Sequence, residues 1–260
     1  MYFVGFDITN KQREIVYLVY KFRFINRIQL QKILGHKDAR RLNAWLKDLV
    51  AKGYLGRIYS KKLPENTKPA IYFLSNLGIA LIRQKNQLTI PQVKKFYDDK
   101  KASQTFITHC LTLCSIYIHF TQKFKRSSFT TKTELWLESD FEELKPDAYL
   151  TNTNEKTQIT SHFFLDIINP QVPRYALRGR INQFIELYNS YEYEHKKFPP
   201  VLLILPDETL RRYAKKYILK QFEEQYYLDR LAFSLTTATE ILTKGFEPDV
   251  WVSCIAHGGE

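Results

Sequence analysis

"DARRLNAWLKDLVAKGYLGRIYSKKLPENTKPAIYFL", residues 38–74, changes its periodicity partway along, and that change decides the reading of the whole first part of the chain. Leu42, Trp45, Leu46, Leu49 and Val50 recur at helical spacing, which predicts a helix with those five side chains in its buried stripe. Asp38 stands where an N-cap is needed and Gly53 where the helix must stop, since glycine takes the left-handed conformation of a helix end without steric cost. After Gly53 the pattern shortens. "YLGRIY" and "AIYFL" read as two short strands, and "SKKLPENTKP" between them is polar, basic and proline-bearing, the composition of a hairpin tip.

Two helices are expected ahead of this stretch. "DITNKQREIVYLVYKF" carries Ile15, Leu18, Val19 and Phe22 at helical spacing. "FINRIQLQKIL" has Asn26 as its N-cap, Ile28, Leu30, Ile33 and Leu34 as apolar positions, and Gly35 as its break. "LGIALIRQ" returns as a helix after the second strand. Three helices followed by a two-stranded basic wing is the order of a winged helix-turn-helix. On the third helix Lys37, Arg40, Ala44 and Lys47 lie opposite the stripe, with Arg41 and Asn43 on its flanks. An α-helix fits the major groove of duplex DNA, so this face is the expected reader. Lys61, Lys62 and Lys68 of the wing are expected over phosphates, where they add affinity without sequence information. The competing reading is a helical domain whose charges are only solvated, or a winged helix used for protein contacts.

The charge balance weighs between these. The chain of 260 residues has a formal net charge of +12. Residues 1–86 hold 17 Lys and Arg against 5 Asp and Glu, and the remaining residues hold 22 of each, so the whole surplus lies in the first third. A basic segment joined to a neutral one suggests one part that meets a polyanion and one that does something else. Apolar residues at 44% supply a core and exclude a disordered chain. "MYFVGFDITN" lacks the basic region and long apolar run of a secretory leader, and "FITHCLTLCSIYIHF" is too short and polar to span a bilayer. Three cysteines, Cys110, Cys114 and Cys254, fit a reducing cytoplasm. His109 beside Cys110 and Cys114 could be read as part of a metal site, but no second ligand pair is near in sequence, and buried thiols on one helix face are the plainer reading.

Residues 87–103, charged and carrying Pro91, read as a linker between a first domain of residues 1–86 and a second of residues 104–260. The second begins with the long apolar helix "QTFITHCLTLCSIYIHFTQKF". "SFTTKTELWLES", "DAYLTN", "HFFLDIIN", "PPVLLILPD" and "LAFSLTT" have strand character, with "RYALRGRINQFIELYNSYEYEHKK" and "ETLRRYAKKYILKQFEEQY" as helices between the last three. The expected order is α-β-β-β-α-β-α-β. Asp166 interrupts the apolar run of "HFFLDIIN", and a carboxylate in a buried strand needs a partner or a metal.

With "KPDAYL" at the second strand and "FFLDI" at the third, this half resembles the restriction-endonuclease-like fold of PD-(D/E)xK nucleases. The chain as a whole resembles the replication-relaxation family of plasmid and mobile-element proteins. The matching stretches are "RRLNAWLKDLVAKGYLGRI", "IYFLSNLGIALI", "KPDAYL", "FFLDI" and "INQFIELY". The resemblance implies an α/β (α+β) protein: an N-terminal winged helix-turn-helix followed by a restriction-endonuclease-like mixed-sheet domain. In active members of that fold two acids bind Mg²⁺ and a lysine positions the attacking water. Mapped here, Asp147 and Asp166 are the acids and Glu134, expected on the preceding strand, a third ligand. The lysine position is Ile168, so the catalytic set is incomplete; Arg174 or Arg178 are the cations that could swing in, and Arg174 or Arg180 could instead pair with Asp166 structurally.

The function implied is a protein that binds double-stranded DNA in plasmid or mobile-element replication, mobilisation or transcriptional control. Its nuclease-like domain is expected to be silent and to serve dimerisation or docking of a replication or mobilisation partner, with no cofactor required and no membrane contact. The alternatives are a Mg²⁺-dependent endonuclease targeted by its winged helix, and a protein-interaction adaptor.

Overall fold

In the computed structural model the chain is described for residues 7–135, 144–190, 198–225, 228 and 230–255. It divides into two units, residues 1–118 and 119–260.

The first unit is the winged helix-turn-helix. Helix α1 (Asn10–Phe22) starts on a capping box in which Thr9 and Gln12 satisfy each other's backbone N–H groups. Strand β1 (Ile25–Asn26) leads into α2 (Arg27–Ile33), where Asn26 and Gln29 form a second capping box. Helix α3 (Ala39–Ala51) is capped by Asp38, whose side chain accepts from the Arg40 backbone N–H. It ends at Gly53, in the left-handed region at φ 76°, with the Tyr54 N–H returning to the Leu49 carbonyl at 2.9 Å. Strands β2 (Leu55–Ile58) and β3 (Ile71–Leu74) pair antiparallel as the wing, and β1 adds to the other edge of β3. Helix α4 (Asn76–Asn86) follows.

The expected buried stripe of α3 is narrower than the spacing implied. Leu42, Leu46 and Leu49 are fully buried, while Trp45 and Val50 are half-buried. Trp45 sits edge-on to His36, ring centres 5.4 Å apart, at the border of the core.

Residues 87–103 are not a bare connector. They hold helix α5 (Ile90–Asp98), capped by a Thr89–Gln92 box, and a short 3-10 turn. Phe96 is fully buried, 5.5 Å from the Tyr20 ring. Asp99 is buried against the Arg23 guanidinium, which also packs over the rings of Phe96 and Phe106. Helix α6 (Gln104–Lys123) adds Ile107 and Cys110 to a cluster with Phe24 and Phe73 behind the wing. The Gln29 side chain donates to the Leu111 carbonyl at 2.7 Å and to Ser115 Oγ at 2.8 Å, which fastens α2 to α6. The first unit therefore extends well past residue 86.

The second unit is a mixed six-stranded sheet in the order β4-β5-β6-β7-β8-β9. Its strands are β4 (Ser127–Thr131), β5 (Ala148–Thr153), β6 (Thr160–Ile167), β7 (Val201–Leu205), β8 (Ala232–Thr237) and β9 (Val252–Ile255). The pairs β6–β7 and β7–β8 are parallel and the others antiparallel. Every residue of β7 is buried, as a central parallel strand requires. Helices α8 (Arg174–Ser190) and α9 (Glu208–Glu224) cover one face, where Phe164, Leu177, Ile181, Phe184, Leu203 and Ile218 share a core. Phe120 packs edge-on against Phe129 and Phe246.

Three elements differ from expectation. The short helix α7 (Lys132–Leu135) takes up part of the expected first strand, and α10 (Ala238–Lys244) and β9 extend the fold beyond the expected last strand. The expected strand beyond Leu135 and the expected helix beyond Ser190 run into residues 136–143 and 191–197, which lie outside the described ones.

Candidate nucleic-acid interface and carboxylate site

One face of α3 is apolar and buried, so the other must face outward. Lys37, Arg40, Arg41, Asn43 and Lys47 are all exposed, and so are Lys61, Lys62 and Lys68 on the wing. Arg40 is partly spoken for: its Nε lies 2.7 Å from Asp38 Oδ2. The Arg40 backbone N–H and then its side chain hold the Asp38 carboxyl below its usual range. The angle of α3 is fixed from behind. The buried Gln12 side chain on α1 donates to Asp48 Oδ2 at 2.6 Å, and Lys52 lies 3.2 Å from the same oxygen. Arg57, exposed on β2, stacks on the Tyr59 ring with its guanidinium carbon 4.6 Å from the ring centre. Arg57 and Tyr59 belong to this face and were not among the residues expected there. In the sequence they read only as strand residues, because which side of a two-stranded wing faces α3 is a tertiary matter.

In the second unit the fold does bring Asp147 and Asp166 together. Asp147 stands one register step before the Ala148–Leu165 pair, directly opposite Asp166. The two acids grip each other's strands: the Asp147 N–H donates to Asp166 Oδ1 at 3.0 Å, and the Ile167 N–H donates to Asp147 Oδ2 at 2.9 Å. Both are buried. The third member is Arg180 of α8. Its Nε donates to Asp166 Oδ2 and its Nη2 to Asp166 Oδ1 at 3.0 Å, a two-pronged grip. Arg180 Nη1 also donates to the Leu144 carbonyl at 2.8 Å and Nη2 to the Lys145 carbonyl at 3.4 Å, so it ties down the loop leading into Asp147. Burial, and next the Asp147 carboxylate, push the Asp166 carboxyl up from its usual range against the pull of Arg180.

The other expected members are elsewhere. Glu134 lies on α7 rather than on a strand, and its Oε2 accepts from the Thr131 N–H at 2.9 Å and Thr131 Oγ1 at 3.2 Å. It serves as a local cap. Arg174 is exposed and its guanidinium lies over the Tyr213 ring at 4.8 Å, and Arg178 is exposed. Neither reaches the acids; Arg180 does. Ile168 is buried in the core with Leu177 and Ile181. Its N–H donates to the Ile204 carbonyl at 2.8 Å, so the position that a catalytic lysine would occupy is packed hydrocarbon.

This donor set does not fit a Mg²⁺ ion. Both oxygens of Asp166 take hydrogen bonds from Arg180, one oxygen of Asp147 takes a backbone N–H, and Glu134 faces Thr131. Among the described residues no three His, Cys, Asp or Glu side chains stand close enough to hold a metal. Cys110, Cys114 and Cys254 are buried thiols, none of them in a disulfide. No helix of the described residues is long and apolar enough to cross a membrane.

The profile of the replication-relaxation family matches residues 16–202. No curated protein matches the sequence. Among solved structures, a mutant of MarR from E. coli complexed with operator DNA is 23% identical with a TM-score of 0.27, over 40% of this chain and 70% of that one. The restriction endonuclease FokI is 11% identical with a TM-score of 0.30, over 93% of this chain and 46% of that one.

Proposed function

The chain belongs to the replication-relaxation family, and we propose that it binds duplex DNA through α3 and the wing, in plasmid or mobile-element replication, mobilisation or transcriptional control. One observation carries this reading. The whole charge surplus of the chain lies in residues 1–86, and the cations of α3 and the wing are exposed while the opposite face of α3 is core. Asn43 and Lys47, on the exposed face of α3, are the candidates for base edges, and Lys61, Lys62 and Lys68 for phosphates. The test is fluorescence anisotropy of the full chain on DNA surrounding its own gene. Lys47→Ala should weaken binding partly in a sequence-dependent way, and Lys61→Ala and Lys62→Ala should weaken all sequences alike and flatten the salt slope. Absence of duplex binding at low salt would sink the reading.

The second unit acts, on this reading, as a catalytically silent platform for self-association or for a replication partner. The support is Arg180, whose guanidinium lies where a metal would have to approach Asp166, and Ile168, which removes the lysine. The adjacent acids favour one second reading, a metal-dependent endonuclease. Supercoiled plasmid incubated with the protein in Mg²⁺ or Mn²⁺ separates the two: robust nicking that is lost in Asp166→Asn would establish the endonuclease.

A further inference from the structure

A cleft of about 490 Å³ opens between α3 and the wing. Asn43 and Lys47 line it from α3, Tyr59 and Lys68 from the wing, and Arg27 and Arg57 also reach it. No carboxylate is among the residues that line it. Tyr72 of β3 lines it as well and is only 6% exposed, yet its hydroxyl has no hydrogen-bond partner among the described residues. Burial raises the Tyr72 hydroxyl above its usual pKa, while Arg57 and Arg27 pull the other way, so both guanidiniums act on this one oxygen. The Tyr59 hydroxyl donates to the Asn66 carbonyl at 3.3 Å, which holds the ring against the wing tip, and Arg57 covers it.

Duplex DNA presents its phosphates on a convex surface. It can meet Lys47 and Lys68, which are exposed, but Tyr72, a residue only 6% exposed, is reached only by something that enters. What enters must be anionic, because every charged side chain lining the cleft is a cation. It must also be small, because the volume is that of a small-molecule site. The Tyr72 hydroxyl is a donor without a protein partner among the described residues, and a phosphate entering the cleft can accept from it beside the guanidiniums of Arg27 and Arg57. Stacked aromatic and guanidinium planes are the surfaces on which nucleobases rest.

We infer that the cleft between α3 and the wing is a binding site for a nucleotide, with its phosphate on Arg27, Arg57 and the Tyr72 hydroxyl and its base against Tyr59. The same chemistry can come from a free nucleotide or from the phosphorylated end of a DNA strand. Because Lys47 and Lys68 line the cleft and also belong to the proposed duplex interface, the occupant competes with duplex DNA. That competition, though not the site itself, rests on the DNA-binding reading above.

The experiment is calorimetric titration of the full chain with AMP, with inorganic phosphate as the minimal anion. AMP should bind, and Tyr72→Phe should weaken it by about tenfold, the loss of one hydrogen bond to a charged group, while leaving the melting temperature and duplex affinity unchanged. Should Tyr72→Phe lower the melting temperature, Arg57→Gln, at an exposed wing position, replaces it with the same expected loss of AMP affinity, its melting temperature unchanged and its duplex affinity left out of the comparison because Arg57 belongs to the α3–wing face. Displacement of AMP by a 5′-phosphorylated single strand but not by its 5′-hydroxyl counterpart assigns the site to strand ends; displacement by neither assigns it to free nucleotide. Failure of AMP to bind, or binding indifferent to these substitutions, overturns the inference. Duplex binding without AMP binding removes this site and leaves the DNA reading intact, and AMP binding without duplex binding does the reverse.

Discussion

Asp166 is buried beside a second carboxylate, and Arg180 is the cation that offsets both. Truncating Arg180 to alanine leaves an uncompensated buried charge and strips the Leu144 and Lys145 carbonyls of their donor. We expect Arg180→Ala to destabilise the second unit by about 3–5 kcal/mol in urea denaturation. Arg180→Gln combined with Asp166→Asn should cost less than the two single substitutions added together, because neither member of the pair is then left as a buried charge facing a neutral partner. A second buried acid makes a pH prediction in the first unit. Burial pushes Asp99 up from 3.8 to about 6, with Arg23 opposing. An acid that holds its proton more tightly folded than unfolded favours the native state at low pH. That advantage disappears as pH rises through the window from 3.8 to about 6, by about 3 kcal/mol over the full window. Asp99→Asn should therefore remove a downward slope in stability between pH 4 and 6, and parallel profiles for the two proteins would refute it. Residues at this scale were only half legible in the sequence. That Asp166 needs a partner follows from its apolar run. Which arginine supplies it does not, since Arg178 and Arg180 lie about equally far from the centre of the α8 stripe at 100° per residue, on opposite sides. Only the side on which β6 lies separates them.

Helix α3 carries two functions on two faces, and substitutions should separate them. Leu46→Ala and Leu49→Ala remove side chains that are at most 1% exposed and should each cost about 2–5 kcal/mol. Lys47→Ala, on the exposed face, should leave the thermal midpoint within experimental error while weakening DNA binding. Trp45 falls between. It is half-buried against His36, so Trp45→Ala should cost less than the about 3–5 kcal/mol of a fully buried tryptophan and leave the domain folded. A circular dichroism melt ranks all four variants, and Trp45→Ala proving the most damaging would mean the helix is turned by part of a residue from its described face. The elements themselves were legible wherever local signals agreed. The caps Asn26 and Asp38, the stop at Gly53 and the wing strands all stand where spacing and turn chemistry put them. What escaped was short or held by distant residues. Helix α5 buries only Val93 and Phe96 and leaves Ile90 and Tyr97 exposed, so no apolar stripe marks it, and its partners Tyr20 and Arg23 lie some seventy residues earlier. Helix α7 is one turn long, and α10 and β9 are too brief for a period to show.

At the scale of the molecule the chain separates charge as well as structure. Because α5 and the first part of α6 pack into the winged-helix unit, a fragment ending at Asn86 loses Phe96, Asp99, Ile107 and Cys110 from its core, whereas one ending at Lys123 keeps them. The longer fragment should unfold cooperatively and retain the duplex affinity of the full chain, and the shorter should melt at a lower temperature. Salt dependence then measures how the charge surplus is used. The exposed cations of α3, the turn before it and the wing are Lys37, Arg40, Arg41, Lys47, Arg57, Lys61, Lys62 and Lys68. If all of them neutralised phosphates, the slope of log affinity against log salt would be about −7. Arg40 is held by Asp38, so a slope of about −6 is the expected value. Lys61→Ala should reduce its magnitude by about one, equally on every sequence. Lys52 and Arg23 are engaged with Asp48 and Asp99 and should not contribute. A slope near −10 would show that DNA wraps further round the first unit than α3 and the wing. A slope near zero would show that its charge serves solubility alone, and that the winged helix meets a protein instead.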